Sequence, residues 1–311
     1  METANTELDD ALIARVAWLY YNSGLTQSEI GEMLALSRIK VSRMLEQGRD
    51  SGLIQIRVNS LHHGCFEQEE RLRQRFGLSD CRVIPEGAGA PVNARLGEAA
   101  AQYLMQKLEP GSLLAVGWGD TVSRTIRKLG HVAEERGIGL VTLTGGVQTY
   151  VDGMRTANWG HNVFVVPAPL LVSTPALSAS LAAERSVATL LSMALGADYK
   201  LVGIGGIADQ STVVTQGFIS PAEVEPLRRL GAVGDILCRF YDRDGRQLDL
   251  PIHERVIGVG LDKLKDSARV IGVAGGAEKV EPIRAALKGA LLDILITDEA
   301  TASQLLMTET D

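Results

Sequence analysis

The chain has 311 residues, 45% hydrophobic and 22% charged, an ordinary globular balance with apolar material for one or two cores. Its 31 Lys and Arg against 38 Asp and Glu leave a formal net charge of −7, which excludes a general polyanion binder. No apolar run approaches the ~18 residues of a membrane span, the start Met1–Asp10 lacks a basic and apolar leader pattern, and Cys65, Cys81 and Cys238 have no disulfide-framework or zinc spacing. A cytoplasmic protein without metal or cofactor is the expectation.

The first elements read as three helices and a strand. Ile13, Val16, Ala17 and Tyr20 repeat at helical spacing, and Asn22-Ser23-Gly24 stops that helix. Thr26-Gln27-Ser28-Glu29 is a capping-box pattern, after which Ile30, Met33 and Leu34 are the expected buried face. Ala35-Leu36 makes a short turn, and Ser37 caps a third helix that runs through Gln47. That helix should turn Val41, Met44 and Leu45 inward and Arg38, Lys40, Ser42 and Arg43 outward. Beyond Gly52, Ile54, Ile56 and Val58 alternate with Gln55 and Arg57 as in a half-buried strand. The pattern is a helix-turn-helix with a strand resembling a wing.

Charge supports a DNA role for this segment. Residues 35–58 hold five basic side chains, Arg38, Lys40, Arg43, Arg49 and Arg57, against Glu46 and Asp50. A helix with a basic, hydroxyl-bearing amino-terminal half suits the major groove, where arginine reads guanine edges and residues such as Gln27 or Ser28 hold phosphates. The candidate DNA-binding set is Tyr20, Thr26, Gln27, Ser28, Ser37, Arg38, Lys40, Ser42 and Arg43. The alternative is a small helical dimerisation module with a solvated charged face.

The stretch WLYYNSGLTQSEIGEMLALSRIKVSRMLEQGRDSGLIQIRV resembles the amino-terminal region of SorC-family bacterial transcriptional regulators. The likeness continues through LAVGWGDTV, LVTLTGGV, LVGIGGI, AVGDIL and GVAGGAEKVEPIRAALKGALLDILITDEATA, so it covers nearly the whole chain. It implies a regulator of a carbohydrate-utilisation operon that binds operator DNA as a dimer or tetramer and takes a phosphorylated sugar or polyol as effector. The fold it implies is α/β: a winged-type helix-turn-helix domain plus a larger Rossmann-like, sugar-phosphate-isomerase-like effector domain.

Residues 1–58 are then the DNA-binding domain, 59–80 a linker with a dimerisation helix, and 81–311 the effector domain. The polar stretch Asn59–Gly64 marks the junction, and the charged helix Phe66–Phe76 carries an apolar side at Phe66, Leu72 and Phe76. By the resemblance this helix links the domains and helps to dimerise them; by itself it reads as a solvated surface helix. From Cys81 onward CRVIP, LLAVG, LVTLT, VFVVPA, LVGIG, RVIGVAG and ILIT are strand candidates. They alternate with helical stretches at Leu96–Leu108, Ser123–Leu129, Ala182–Leu195 and Val280–Lys288, the signature of a mostly parallel sheet covered on both faces.

Ligands of such sheets bind beyond the carboxyl ends of the strands, where this chain places its glycine-rich turns. The first turn offers Gly117, Gly119, Asp120 and Thr121. The second offers Thr144, Gly145 and Gln148, with Asn158 further on, and a third spans Gly203–Gly206. Gly275-Gly276 precedes Lys279 at a helix start, a natural anion site, and the resemblance makes Lys279 the phosphate-contacting lysine. Asp235 either caps a turn or accepts a sugar hydroxyl, and the resemblance points to the second. Asp298 and Thr301 read as caps of the last helix, and His253 as a structural histidine beside the pocket. The rival class is a sugar-phosphate isomerase or deaminase, for which Asp120 or Asp235 could serve as general base. The five histidines have no metal spacing, and no Ser/His/Asp order stands out.

Overall fold

The computed structural model describes residues 2–54, 63–87, 89–146, 159 and 162–307. The chain divides into two compact units, Met1–Ser60 and Leu61–Asp311.

The first unit is built from α1 (Glu2–Tyr21), α2 (Gln27–Leu34) and α3 (Arg38–Asp50). Ile13, Val16, Ile30, Val41, Met44 and Leu45 form its core, with Tyr20 and Leu34 packed at the margin. The capping box is complete: the Thr26 hydroxyl accepts from Glu29 N at 3.3 Å, and Glu29 Oε2 accepts from Thr26 N at 2.8 Å. The Thr26 N–H, together with the Thr26 hydroxyl that also donates to Glu29 Oε2, holds the Glu29 carboxyl below its ordinary range. Ala35 ends α2 in the left-handed region at φ 53°, and Ser37 Oγ caps α3 by accepting from Lys40 N at 3.2 Å. A helix-turn-helix results. Met33 departs from expectation: α2 turns Ile30 and Leu34 toward the core, and Met33, rotated off that face, is 58% exposed. Ile54 packs on the core, whereas the rest of the expected wing strand, Gln55 to Val58, lies outside the described residues.

The second unit is a doubly wound α/β domain. Its described strands are β1 (Asp80–Ile84), β2 (Leu113–Val116), β3 (Gly139–Thr142), β4 (Val163–Phe164), β5 (Tyr199–Gly203), β6 (Gly205–Gly206), β7 (Gly234–Ile236), β8 (Arg239–Tyr241), β9 (Val270–Val273) and β10 (Ile294–Asp298). The seven strands expected from the apolar runs form one sheet, ordered β1-β10-β9-β5-β2-β3-β4 and parallel throughout. Read from β4 to β10 this is the Rossmann order 3-2-1-4-5-6, with β1 added at the edge. Every residue of β3, β9 and β10 is buried, as a sheet covered on both faces requires. The chain leaves β2 toward β3 and returns to β5 on the other side of β2, so the switch point lies between β2 and β5.

Its helices are α4 (His63–Phe76), α5 (Val92–Lys107), α6 (Asp120–Arg136), α7 (Pro175–Ala183), α8 (Arg185–Leu195), α9 (Thr212–Thr215), α10 (Pro221–Arg229), α11 (Leu261–Lys265), α12 (Val280–Lys288) and α13 (Glu299–Leu306). The stretch expected as one helix over Ala182–Leu195 is broken at Glu184, whose ψ of 131° is extended. In α4 the buried stripe starts at Cys65 and continues through Leu72 to Phe76, and Phe66, expected inward, is 48% exposed. The polar stripe members are bonded: Gln68 Nε2 donates to Ser303 Oγ at 2.8 Å, and Glu69 Oε1 accepts from Val83 N at 2.8 Å. Alpha4 is thus fastened to β1 and α13 of this unit.

A feature absent from the sequence reading is the antiparallel sheet β6-β7-β8, joined at Leu237-Cys238 by a tight turn with φ of 58° and 62°. Asp235 sits mid-strand in it, opposite Gly205 on one side and Phe240 on the other.

Candidate functional site

On the first unit, α3 presents Arg38, Ile39, Lys40, Ser42 and Arg43 to solvent while Val41, Met44 and Leu45 are buried. Ser28 is exposed at the start of α2, and Gln27 is half-buried. The Thr26 and Ser37 hydroxyls are engaged as caps, and Thr26 Oγ1 also donates to Glu29 Oε2 at 2.7 Å. These two residues therefore shape the helix starts rather than offer free hydroxyls. Tyr20 is half-buried against the core, its ring edge-to-face with Tyr21 at 5.0 Å.

In the second unit the turns that follow β2, β5 and β9 border one cleft of about 1090 Å³. It lies beyond the carboxyl ends of the strands, at the switch point. Gly119, Asp120, Thr121, Gly203–Gly206, Asp235, Gly275 and Lys279 line it together. Asp120 starts α6 and is held by Arg124 Nε at 3.0–3.1 Å and by the Asn93 amide. The Gly275-Gly276 turn is fixed from behind: Gly276 N donates to Asp298 Oδ2 and to Thr301 Oγ1, each at 2.9 Å. Asp298 also caps α13 by accepting from Thr301 N at 3.0 Å, as expected for this pair.

Asp235 and Lys279 both line this cleft, and the charge of each acts on the other. Burial raises the Asp235 carboxyl to about 6, against the opposing pull of the Lys279 ammonium and of Cys238 N, which donates to Asp235 Oδ2 at 3.2 Å. Burial likewise lowers the Lys279 ammonium, which Asp235 and Glu278 counter. The pair offers a buried acceptor for hydroxyls and, at the start of α12, a cation for an anionic group.

Several expected residues lie elsewhere. Thr144 is fully buried and bridges to Gly258, and Gly145 N donates to Ile257 O at 3.0 Å. A Cβ at position 145 would lie 2.4 Å from Pro169 O, so this turn serves close packing and does not border the cleft. Gly117 plays a similar part: its N donates to Leu201 O at 2.7 Å, and a Cβ there would lie 2.8 Å from a Leu237 methyl. Gln148 and Asn158 lie outside the described residues. His253 borders a different hollow of about 1020 Å³, which none of these strand-end turns lines. Its Nε2 accepts from Phe240 N at 2.9 Å, and burial lowers its pKa to about 4, a neutral structural imidazole. Among the described residues no group of His, Cys, Asp and Glu could hold a metal, and no helix is long and apolar enough to cross a membrane.

Sequence reasoning passed over two groups in the cleft. Trp118 and Ser211 both line it and are each 8% exposed, and the Trp118 indole N–H and the Ser211 hydroxyl are buried without a hydrogen-bond partner. Trp118 stood inside the first glycine turn and was overshadowed by its neighbours. Ser211 precedes the four-residue helix α9, too short to announce itself in the sequence.

A helix-turn-helix unit joined to a doubly wound domain with a strand-end cleft defines a ligand-responsive transcriptional regulator. Residues 61–307 match the family described as "Putative sugar-binding domain". The chain is 45% identical over 301 residues to the transcriptional regulator LsrR of Enterobacter sp. (strain 638), covering 96% of this chain and 93% of that one. It is 42% identical to LsrR of Escherichia coli (strain K12) over 301 residues, 96% and 95% of the two chains. The full-length sorbitol operon regulator SorC from Klebsiella pneumoniae superposes with a TM-score of 0.68 at 28% identity, covering 96% of this chain and 98% of that one. The chain belongs to the SorC family of sugar-binding transcriptional regulators, and it is a sugar-responsive regulator.

Proposed function

We propose that the effector is a phosphorylated sugar or polyol, held with its phosphate at the Gly275–Lys279 turn and its hydroxyls toward Asp235. The observation that carries this reading is the convergence of Lys279 and buried Asp235 on one cleft at the amino end of α12. Amides at a helix start and a neighbouring ammonium favour an anion. A buried carboxylate suits hydroxyl donors. The Trp118 N–H and Ser211 hydroxyl add two further groups able to bond a polyol. Occupancy of the cleft changes the affinity of the helix-turn-helix unit for operator DNA, which α3 reads through Arg38, Lys40 and Arg43. The protein acts in the cytoplasm as a dimer or tetramer, with α4 contributing to assembly, and binds its ligand without turning it over.

A second reading, an unphosphorylated sugar or polyol, is favoured by the cleft's acidity: Asp120, Asp235, Asp242, Asp244, Glu278 and Glu281 outnumber Arg228, Arg243 and Lys279. Calorimetry with matched phosphorylated and parent ligands on wild type and Lys279→Ala separates the two. Losing one charge-assisted bond costs roughly 1.5–3 kcal/mol, about tenfold to a hundredfold in affinity. Preference for the phosphorylated ligand that disappears in Lys279→Ala supports the first reading. Equal wild-type affinity for both ligands establishes the second.

A further inference from the structure

We infer that Ile39 determines operator specificity by packing against a thymine 5-methyl group in the major groove. The inference rests on the reading of α3 as the DNA-contacting helix. Residues three and four apart share a helix face, so Ile39, Ser42, Arg43 and Glu46 form one stripe of α3. All four are exposed, opposite the buried Val41, Met44 and Leu45. The Ser37 cap places Ile39 in the first turn, the end that a recognition helix inserts into the groove.

At 68% exposed, Ile39 is the most exposed large apolar side chain among the described residues, and it stands among cations. Arg38 and Lys40 flank it in sequence, and Arg43 lies one turn further on. Covering this surface with an apolar face of another protein would strip water from three charges without pairing them. A DNA duplex meets both demands: its phosphates match the cations, and the thymine methyl is the apolar group that the major groove displays. Exposed Trp18 and Met33 lie on α1 and α2 and do not belong to this stripe. Each half-site therefore contains an A·T pair whose methyl faces Ile39.

The test uses the full chain and a duplex selected by the wild-type protein from a randomised pool. Each thymine of that duplex is replaced singly by uracil, which removes only the methyl, and binding is followed by fluorescence anisotropy. At one position per half-site, uracil weakens wild-type binding about fourfold, the worth of one buried carbon. The same replacement leaves Ile39→Ala unaffected, and Ile39→Val shows a smaller loss than wild type. Uracil sensitivity at no position, or equal sensitivity in wild type and Ile39→Ala, overturns the inference. Arg43→Ala separates the two levels. If it weakens binding while uracil does nothing, only the role of Ile39 fails; if it has no effect either, the assignment of α3 fails with it.

Discussion

Gly205 faces Asp235 across the β6–β7 ladder so closely that a Cβ on residue 205 would lie 1.7 Å from Asp235 Oδ1. The carboxylate occupies the space that any side chain at 205 would need. The glycine thus sets the position of the cleft's buried acceptor.

Gly205→Ala should therefore displace the Asp235 carboxylate. We expect at least a tenfold loss of effector affinity and a destabilisation of about 1–3 kcal/mol, as for other overpacked sites. Operator binding without effector should stay within twofold of wild type. Calorimetry with the effector and gel shifts with the operator check the two halves.

The pH dependence of stability should carry opposed contributions from Asp235 and His253. Asp235 has a folded value raised from 3.8 to about 6, so its contribution is fully present below pH 3.8 and is lost as pH rises through 6. His253 has a folded value lowered from 6.5 to about 4, so its contribution is present above pH 6.5 and is lost as pH falls toward 4. Asp235→Asn removes the first and leaves the second. Thermal melts of ligand-free protein between pH 4 and 6.5 should show a steeper gain of stability with rising pH in Asp235→Asn than in wild type. Parallel profiles would show that Asp235 titrates normally.

Arg43→Ala and Arg38→Ala should each weaken operator binding, by about 1–3 kcal/mol where a base contact is lost, with relaxed specificity at one position. Effector binding to either variant should be unchanged, because both residues lie in the first compact unit. Gel shifts across single-base operator variants distinguish a base contact from a phosphate contact, which weakens all sequences alike.

Sugar phosphates should be bound without conversion. Pentose, hexose and tetritol phosphates incubated with the purified protein should give no isomerised or deaminated product by NMR. Turnover above ~1 s⁻¹, the low end of enzyme rates, would make the protein an enzyme.

Much of the architecture was legible locally. The capping box at Thr26–Glu29, the Ser37 cap and the seven apolar runs each depend on residues a few positions apart, and each has its expected counterpart in the structure. Where the structure departs from these expectations, the deciding partner is distant in sequence. Phe66 and Cys65 are equally plausible inward residues until α4 is laid against β1 and α13. Thr144-Gly145-Gly146 and Gly203–Gly206 look alike as glycine turns. One is packed beneath Pro169, whereas the other opens onto the cleft.

By itself the sequence determined the helix-turn-helix, the alternation of strands and helices, and the candidate pair Asp235 and Lys279. The first two depend on periodicity, capping chemistry and glycine placement, interactions that act over one or two turns of chain, whereas the ligand roles of Asp235 and Lys279 came from the family resemblance. Only the tertiary structure decided which turns share a cleft and that Asp235 lies in a strand rather than in a cap. It also decided that Trp118 and Ser211 have buried polar atoms without partners. The strand order puts β2, β5 and β9 close together although about 150 residues of chain separate the first from the last. Burial, which raises Asp235 and lowers Lys279, arises from that assembly.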